Sequence, residues 1–190
     1  MDTANYRTVR YSKTTLTELM IPSYANFGGK VHGGILLALM DKIAYVCAAK
    51  HAGNYCVTAS IHNVDFLAPV EVGDLVSLKA SVNYVGNSSL VVGIRIVAEN
   101  IKTQTLKHTN TSYFTMIAMN EQSKPVQVPG LILESKDEMR RFAEAIKRKA
   151  LKKEHRQKAE MIKTSFDEEH YITLLKNERC IISKNGDQKL

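Results

Sequence analysis

The sequence has no tryptophan, only four prolines and only three cysteines, which are Cys47, Cys56 and Cys180. So few cysteines, and an odd number of them, argue against a disulfide framework and favour a reducing compartment. The histidines and cysteines also lack the paired C-x-x-C or H-E-x-x-H spacing that zinc sites use. We therefore predict a cytoplasmic protein without a metal site.

Long apolar runs are also missing. No segment approaches the roughly 20 apolar residues that a helix needs to span a bilayer. Residues 1–13 lack the apolar stretch and small-residue cleavage site of a secretory signal. Apolar residues nevertheless make up 44% of the chain, which is enough for a hydrophobic core. The length of 190 residues suits one domain with an extension, and we expect no membrane insertion.

Positive charge is unevenly distributed along the chain. The formal net charge is +7, and residues 136–163 hold eleven Lys or Arg against five Asp or Glu, so this segment alone contributes +6. It contains one aromatic residue, Phe142, and no recognised nucleic-acid motif. We do not expect a nucleic-acid partner. A solvated helix surface and a surface for an anionic ligand or partner both stay open for this segment.

The residue pattern predicts a mixed structure. An extended segment over residues 6–20 and a glycine-rich loop precede a helix over about 33–51, whose apolar residues recur at intervals of three and four. The other side of this helix has mostly small residues and carries Asp41, so we expect the helix to be buried on all sides. Four strand-like runs with short Gly/Asn connections follow, at residues 55–68, 74–85, 89–101 and 106–120.

Together these elements predict an α+β fold with one long helix against one face of an antiparallel sheet. After the sheet the chain becomes strongly helix-forming, from residue 134 to about 163. Ser135, followed three residues later by Glu138, has the form of a capping box. We therefore divide the chain into a domain over residues 8–132 and a basic, largely helical extension over 133–190.

Four features could carry chemistry. Gly33 and Gly34 stand at the start of the long helix, where free N–H groups and the positive end of the helix dipole can bind a developing oxyanion. Asp41, about two turns into the helix, is a candidate general base or nucleophile. Asn26 in the loop could orient a water or a substrate carbonyl, and His32 is a rival catalyst. From the residues alone, the glycines and Asn26 equally suit a turn, and Asp41 equally suits a structural ion pair.

A series of short motifs makes the pattern more specific, because their order and spacing agree as well as their residues. The motifs are PSYANFGGKVHGG at 22–34, LMD at 39–41, VTAS at 57–60, DF and PV within 65–70, VGD at 72–74, VGNSS at 85–89, YFTM at 113–116 and VP at 128–129. With these motifs, the sequence resembles the acyl-CoA thioesterases of the hotdog superfamily over about residues 10–148.

The resemblance implies a hotdog fold, in which a sheet wraps one central helix and two subunits join their sheets with the active site between them. Asp41 of one subunit would act as general base on water, or less often attack the thioester itself. Asn26 of the other subunit would orient that water or the thioester, and the N–H of Gly34, with that of Gly33, would hold the oxyanion. The expected reaction converts fatty acyl-CoA to free acid and CoA, with no cofactor beyond the CoA of the substrate.

The resemblance also implies where the CoA arm would lie and how the chains assemble. The expected contacts are Ser60, Gly86, Asn87, Ser88 and Ser89, with Arg140 and Arg141 near the phosphates. Related sequences often have Arg where this chain has Asn87, which would remove a charge-assisted contact and leave compensation to other basic residues. The family implies at least a homodimer, and we expect a trimer of dimers.

Two alternatives stay open. One is a hotdog hydratase or dehydratase, which needs a histidine base, and His32 is its candidate. The other is a non-catalytic acyl-CoA-sensing protein, which would be expected to carry a DNA-binding domain, and only the basic extension hints at one. The spacing of Asn26 and Asp41 favours the hydrolase.

Overall fold

The computed structural model describes residues 5–164 and 168–181. The chain forms two compact units, residues 1–146 and 147–190. The elements, in chain order, are β1 (Tyr6–Thr8), α1 (Val9–Ser12), β2 (Thr14–Leu19), a 3-10 turn (Pro22–Tyr24), α2 (Gly33–Ala52), β3 (Tyr55–Ile61), β4 (Asp74–Val85), β5 (Ser89–Asn100), β6 (Thr105–Met119), β7 (Gly130–Ile132), α3 (Lys136–Thr164) and α4 (Glu168–Leu175).

Five antiparallel strands form the main sheet in the order β2-β4-β5-β6-β3, while β1 and β7 form a separate parallel pair. Side chains alternate between the two faces, as the pleat requires. In β4, Leu78 and Ala80 are buried against the core, while Lys79 between them is exposed on the other face. The helix α2 packs on the apolar face against β3, β4, β5 and β6. The predicted α+β class and the hotdog arrangement are confirmed.

The central helix α2 occupies residues 33–52, close to the predicted span. It ends at Gly53, whose φ of 71° is the left-handed conformation that glycine adopts without strain. The Arg7 guanidinium donates to the last-turn carbonyl of His51 at 2.6 Å, which satisfies a helix-end acceptor. The expectation of a helix buried on all sides is wrong, because Asp41 and Val46 are exposed on the face that the single chain leaves uncovered.

Two strand predictions also need correction. The extended segment over residues 6–20 is interrupted by the helical turn α1, which Thr8 caps by accepting the N–H of Tyr11 at 3.3 Å. The strand predicted over 55–68 ends at Ile61, and the chain from 62 onward is a loop. That loop is held by side chains of β6, such as the Asn110 amide, which donates to the carbonyl of Asp65 at 2.9 Å.

The predicted capping box is present at the start of α3. The Ser135 hydroxyl accepts the N–H of Glu138 at 3.2 Å, and the Glu138 carboxylate accepts the N–H of Glu134 at 2.6 Å. In the described residues, no helix is both long and apolar enough to cross a membrane. The division into residues 8–132 and 133–190 stays a prediction.

Candidate active site

Asp41 lies on the exposed face of α2 and is fixed by a residue of β3. The Thr58 hydroxyl donates to Asp41 Oδ1 at 2.6 Å, the length typical of a hydroxyl bound to an ionised carboxylate. Thr58 adjoins a β-bulge, because the register with β6 shifts between Thr58 and Ser60. Bulges re-aim side chains at functional positions. One carboxylate oxygen is therefore held in place, and the arrangement suits a base with a fixed orientation.

Asn26 is fixed by its own loop. Its side-chain oxygen accepts the backbone N–H of Gly28 at 2.9 Å and that of Lys30 at 3.2 Å. The Asn26 N–H donates to the Lys30 carbonyl at 2.7 Å, and Lys30 is anchored by an ion pair with Glu71 at 2.7 Å. In the described part of the chain, the Asn26 side-chain nitrogen has no recorded partner, so it is a positioned hydrogen-bond donor.

The two glycines at the start of α2 differ in their hydrogen bonds. The Gly34 N–H donates to His32 Nδ1 at 2.9 Å, so the histidine side chain caps the helix and occupies this donor. For the Gly33 N–H, the described residues offer no recorded acceptor. A Cβ on Gly33 would lie 3.2 Å from the Phe66 ring. Gly33 therefore allows close approach of Phe66 and presents a donor at the positive end of the helix.

One pocket brings part of the predicted site together. It has a volume of about 380 Å³ and is lined by Asn26, Gly33, Leu36 and Phe66, among others. Asp41 and Thr58 do not line it. Within one chain, this pocket therefore brings Asn26 and Gly33 together but does not include Asp41.

The predicted CoA-binding residues lie in two separate places. Ser60 of β3 pairs with Thr115 of β6, and Ser89 of β5 flanks β6 on its other side. The turn between β4 and β5 contains Gly86, Asn87 and Ser88, and the carbonyl of Ser88 accepts the N–H of Ala118 in β6 at 2.9 Å. These residues surround one end of β6.

Arg140 and Arg141 lie elsewhere, in the first turns of α3. Arg140 forms ion pairs with Asp137 at 2.5 Å and Glu144 at 2.6 Å, and these contacts raise its pKa. Arg141 pairs with Asp137 at 2.7 Å and approaches the Ser81 hydroxyl at 3.5 Å. Both arginines line a cleft that contains neither Ser60 nor the turn before β5.

In the part of the chain that the structure describes, the cysteines and the acidic side chains do not form a second catalytic centre or a metal site. All three cysteines are free. Burial raises the pKa of Cys47 to about 12 and that of Cys56 to about 11, which makes both thiols poor nucleophiles. Within the ranges that the structure describes, no three His, Cys, Asp or Glu side chains cluster as metal ligands. The absence of a metal and of a cofactor stays a prediction.

Thr58 is the contact that sequence reasoning missed. Its motif VTAS was noticed as part of the family resemblance, but no local pattern links a strand threonine to a helix aspartate seventeen residues earlier. A threonine that faces a carboxylate from a neighbouring strand is visible only once the helix and sheet are packed.

Comparison with known proteins gives a consistent family. Residues 28–105 match the sequence profile of the thioesterase superfamily. The chain is 43% identical to Helicobacter pylori protein VdlD over 141 residues, which cover 74% of this chain and 80% of that protein. It is 34% identical to the Bacillus subtilis protein named uncharacterized acyl-CoA thioester hydrolase YkhA, over 78% of this chain and 86% of that protein. It is 32% identical to a rat cytosolic acyl coenzyme A thioester hydrolase, covering 72% of this chain but 36% of that longer protein.

Solved structures give the same result. An apo-hexameric acyl-CoA thioesterase superposes with a TM-score of 0.77 at 36% identity, covering 79% of this chain and 96% of that one. The Staphylococcus aureus acyl-CoA hydrolase, solved with butyryl coenzyme A and coenzyme A, superposes with a TM-score of 0.75 at 32% identity, covering 83% and 96%. That enzyme has also been solved with an asparagine, an aspartate and a threonine singly replaced by alanine. Those three residues are fifteen and seventeen positions apart, as are Asn26, Asp41 and Thr58 here.

Proposed function

This chain belongs to the thioesterase superfamily, and we propose that it hydrolyses fatty acyl-CoA to the free acid and CoA. The observation that carries the proposal is the Asp41 carboxylate, fixed by Thr58 at 2.6 Å on the helix that the sheet wraps. Several relatives are named acyl-CoA hydrolases or thioester hydrolases, and these names support the substrate class.

In the proposed reaction, Asp41 accepts a proton from a water molecule, which attacks the thioester carbonyl carbon. The carbonyl oxygen becomes an oxyanion, which the Gly33 N–H stabilises at the positive end of α2. The Asn26 side-chain nitrogen donates to the water or to the thioester and so orients the attack. The intermediate then collapses, the carbon–sulfur bond breaks, and the proton held by Asp41 passes to the departing thiolate of CoA. Water and thioester are thus converted to acid and thiol.

The roles of Gly34 and His32 follow from the cap between them. The Gly34 N–H can bind the oxyanion only if its hydrogen bond to His32 Nδ1 breaks. We therefore assign the main hydrogen bond to the oxyanion to the Gly33 N–H. His32 is engaged as a helix cap, which makes it a poorer candidate for the base that the hydratase alternative requires. The hydrolase therefore explains the positions of these residues better than the hydratase does.

We further propose that the site is completed by a second copy of the chain, with Asn26 from one subunit and Asp41 from the other. The reason is that the pocket lined by Asn26 and Gly33 in one chain does not include Asp41. The hexameric form of the similar thioesterase described above supports a trimer of dimers as the assembly. A cytoplasmic location is the matching proposal, supported by the cytosolic relative from rat.

The first experiment measures thiol release from acyl-CoAs of increasing chain length, with wild type beside Asp41→Ala and Asn26→Ala. We expect wild type to hydrolyse part of the panel and each variant to lose about 100-fold or more in kcat/KM. Glu121→Ala and Asn54→Ala, which alter exposed residues of similar chemistry, are the matched controls and should stay near wild type. A folded wild-type protein that is inert towards every thioester would overturn the proposal.

A mixing experiment tests the two-subunit site. Asp41→Ala and Asn26→Ala chains are co-expressed, so that mixed dimers hold one intact site and one doubly altered site. If random pairing occurs, activity should recover to about a quarter of wild type. If both residues act within one chain, the mixture stays as inactive as either variant alone, and sedimentation of the same sample verifies that the chains have associated.

A further inference from the structure

Asn26 is bonded to the far arm of its own loop. Residues 25–31 form a short hairpin, closed by the antiparallel bridge between Ala25 and Val31, and we call it the Asn26 hairpin. Asn26 and Lys30 are bonded in both directions: the Asn26 N–H donates to the Lys30 carbonyl at 2.7 Å, and the Lys30 N–H donates to Asn26 Oδ1 at 3.2 Å. A displacement of Lys30 would therefore move the Asn26 amide with it.

The far arm of the Asn26 hairpin is attached to the segment just before β4. The Val31 N–H donates to the Val70 carbonyl at 2.9 Å, and Lys30 forms an isolated bridge with Glu71. In addition to this backbone contact, Lys30 Nζ lies 2.7 Å from each carboxylate oxygen of Glu71. Asn26, Lys30 and Val70 line the same pocket. The ion pair therefore joins two walls of the pocket that contains the Asn26 donor.

Glu71 is itself held from the core of the domain. The Glu71 N–H donates to Asp74 Oδ2 at 3.0 Å, and the Asp74 N–H donates to the Glu71 carbonyl at 3.1 Å. Asp74 is fully buried at the start of β4, and its carbonyl accepts the N–H of Met20 at 2.9 Å. A continuous set of contacts thus runs from the sheet through Glu71 and Lys30 to the Asn26 amide.

The exposure of the ion pair argues for a role beyond stability. The Lys30 and Glu71 side chains are 49% and 32% exposed, and exposed ion pairs contribute little to the free energy of unfolding, because water screens their attraction. Geometry near a reacting group is far more sensitive, since a misplacement of about 1 Å can cost a factor on the order of 100 in rate. Loss of this pair should therefore affect catalysis much more than stability.

From these contacts we infer that Lys30 and Glu71 are positioning residues, whose ion pair fixes the Asn26 side-chain donor. The inference rests on the proposed function, in which Asn26 orients the water or the thioester. Lys30 acts through Asn26 and not as a cation for the substrate, because Glu71 already neutralises its charge with both carboxylate oxygens. A direct contact between Lys30 and the substrate is the alternative that the experiment separates.

The first arm measures steady-state thiol release on the acyl-CoA that wild type hydrolyses best. Lys30→Met removes the cation, and Glu71→Gln removes the negative charge with little change of shape, so each variant breaks the pair from one side. We expect either variant to lower kcat about tenfold and to leave KM within about twofold of wild type. Lys30→Arg, which keeps a cation able to bind both carboxylate oxygens, should stay within about threefold of wild type.

Lys158→Met is the matched control. It removes the ion pair between Lys158 and Glu154, which is also 2.7 Å long and exposed, on α3, and its kcat and KM should equal those of wild type. Thermal unfolding serves as the fold control, and the Tm of Lys30→Met and Glu71→Gln should stay within about 3 °C of wild type. A lowered Tm with an unchanged kcat would assign the pair to stability alone and overturn the inference.

A double-mutant cycle shows whether the pair acts through Asn26. In the Asn26→Ala background, adding Lys30→Met should cost almost nothing further, because the donor that Lys30 positions has been removed. If the two losses multiply, or if Lys30→Met raises KM severalfold in both backgrounds, Lys30 contacts the substrate directly and the inference fails.

Amide hydrogen exchange tests the same contact without substrate. The N–H groups of Asn26 and Lys30 should exchange faster in Lys30→Met and Glu71→Gln than in wild type, while Lys158→Met leaves them unchanged. Equal exchange in all four proteins would overturn the inference, because the hairpin would then be held as well without the pair. A wild type without turnover contradicts the proposed function and this inference with it. A normal kcat for Lys30→Met beside an active wild type contradicts the inference alone.

Discussion

Replacing Thr58 with valine removes the hydroxyl that fixes Asp41 while keeping the shape of the side chain. The bond from Thr58 Oγ1 to Asp41 Oδ1 is 2.6 Å long. A hydrogen bond to a charged group contributes about 1.5 to 3 kcal/mol. Both residues are exposed in the single chain, so we take the lower end, about 1.5 kcal/mol. That corresponds to about a tenfold loss of kcat if the bond is needed to hold the base in its reactive orientation.

The assay is steady-state thiol release on the acyl-CoA that wild type hydrolyses best. We expect Thr58→Val to lower kcat with little change in KM, and Thr58→Ser, which keeps the hydroxyl, to stay within a few-fold of wild type. Thr17→Val is the matched control, because Thr17 is a strand threonine whose hydroxyl lies 3.2 Å from another neutral hydroxyl, that of Ser77. A kcat for Thr58→Val equal to that of Thr17→Val would refute the positioning role.

A double-mutant cycle decides whether Thr58 acts through Asp41. If it does, adding Thr58→Val to Asp41→Asn should cost almost nothing further, since the group being positioned has already been removed. If the two losses multiply instead, Thr58 contributes by a separate route, such as direct contact with the substrate.

The remaining predictions concern the helix start, pH and the thiols. Gly33→Ala places a Cβ 3.2 Å from the Phe66 ring. This overpacking should cost about 1 kcal/mol and lower kcat/KM. A double variant with Phe66→Leu should recover part of the lost activity, and no recovery would contradict steric crowding. Burial lowers the pKa of His51, so on acidification the unfolded chain binds a proton at this histidine before the folded chain does. The free energy of unfolding should therefore decline as pH falls below about 6.5. In urea titrations His51→Gln should flatten this decline, and an unchanged slope would assign the decline to other groups. Iodoacetamide should alkylate Cys180, which is exposed, and spare Cys47 in the native protein, as mass spectrometry of peptides would show.

Elements with strong local signals were predictable from the sequence. The strand β4 has the predicted bounds, residues 74–85, because the turn before it has its own signature, with Gly73 at a φ of 91°. The capping box at Ser135 likewise depends on residues three positions apart. Signals of this kind require no knowledge of the rest of the fold.

Features that depend on packing were not predictable. The loop after Ile61 has the composition of a strand, but β6 binds it through separate backbone contacts and through side chains that donate to its carbonyls, not through a regular ladder. The contact between Thr58 and Asp41 joins two elements whose relative position no local pattern gives. Asp41 is exposed in the single chain rather than buried as predicted, because no local pattern shows which face of α2 the sheet leaves uncovered.

The anchors of Asn26 and Asp41 bear on the proposed site between two subunits. Asn26 is held by the backbone of Gly28 and Lys30, and Lys30 in turn is tied to Glu71. Asp41 is held by a different element, the edge strand β3. The pocket that Asn26 lines does not include Asp41. An edge strand, however, is a ready site for pairing with another chain, and the exposed Tyr45 and Tyr55 beside it, with ring centroids 5.9 Å apart, add apolar surface there. In the proposed dimer, pairing two copies at this edge would leave both anchors intact, and assembly and catalysis would then be parts of one requirement.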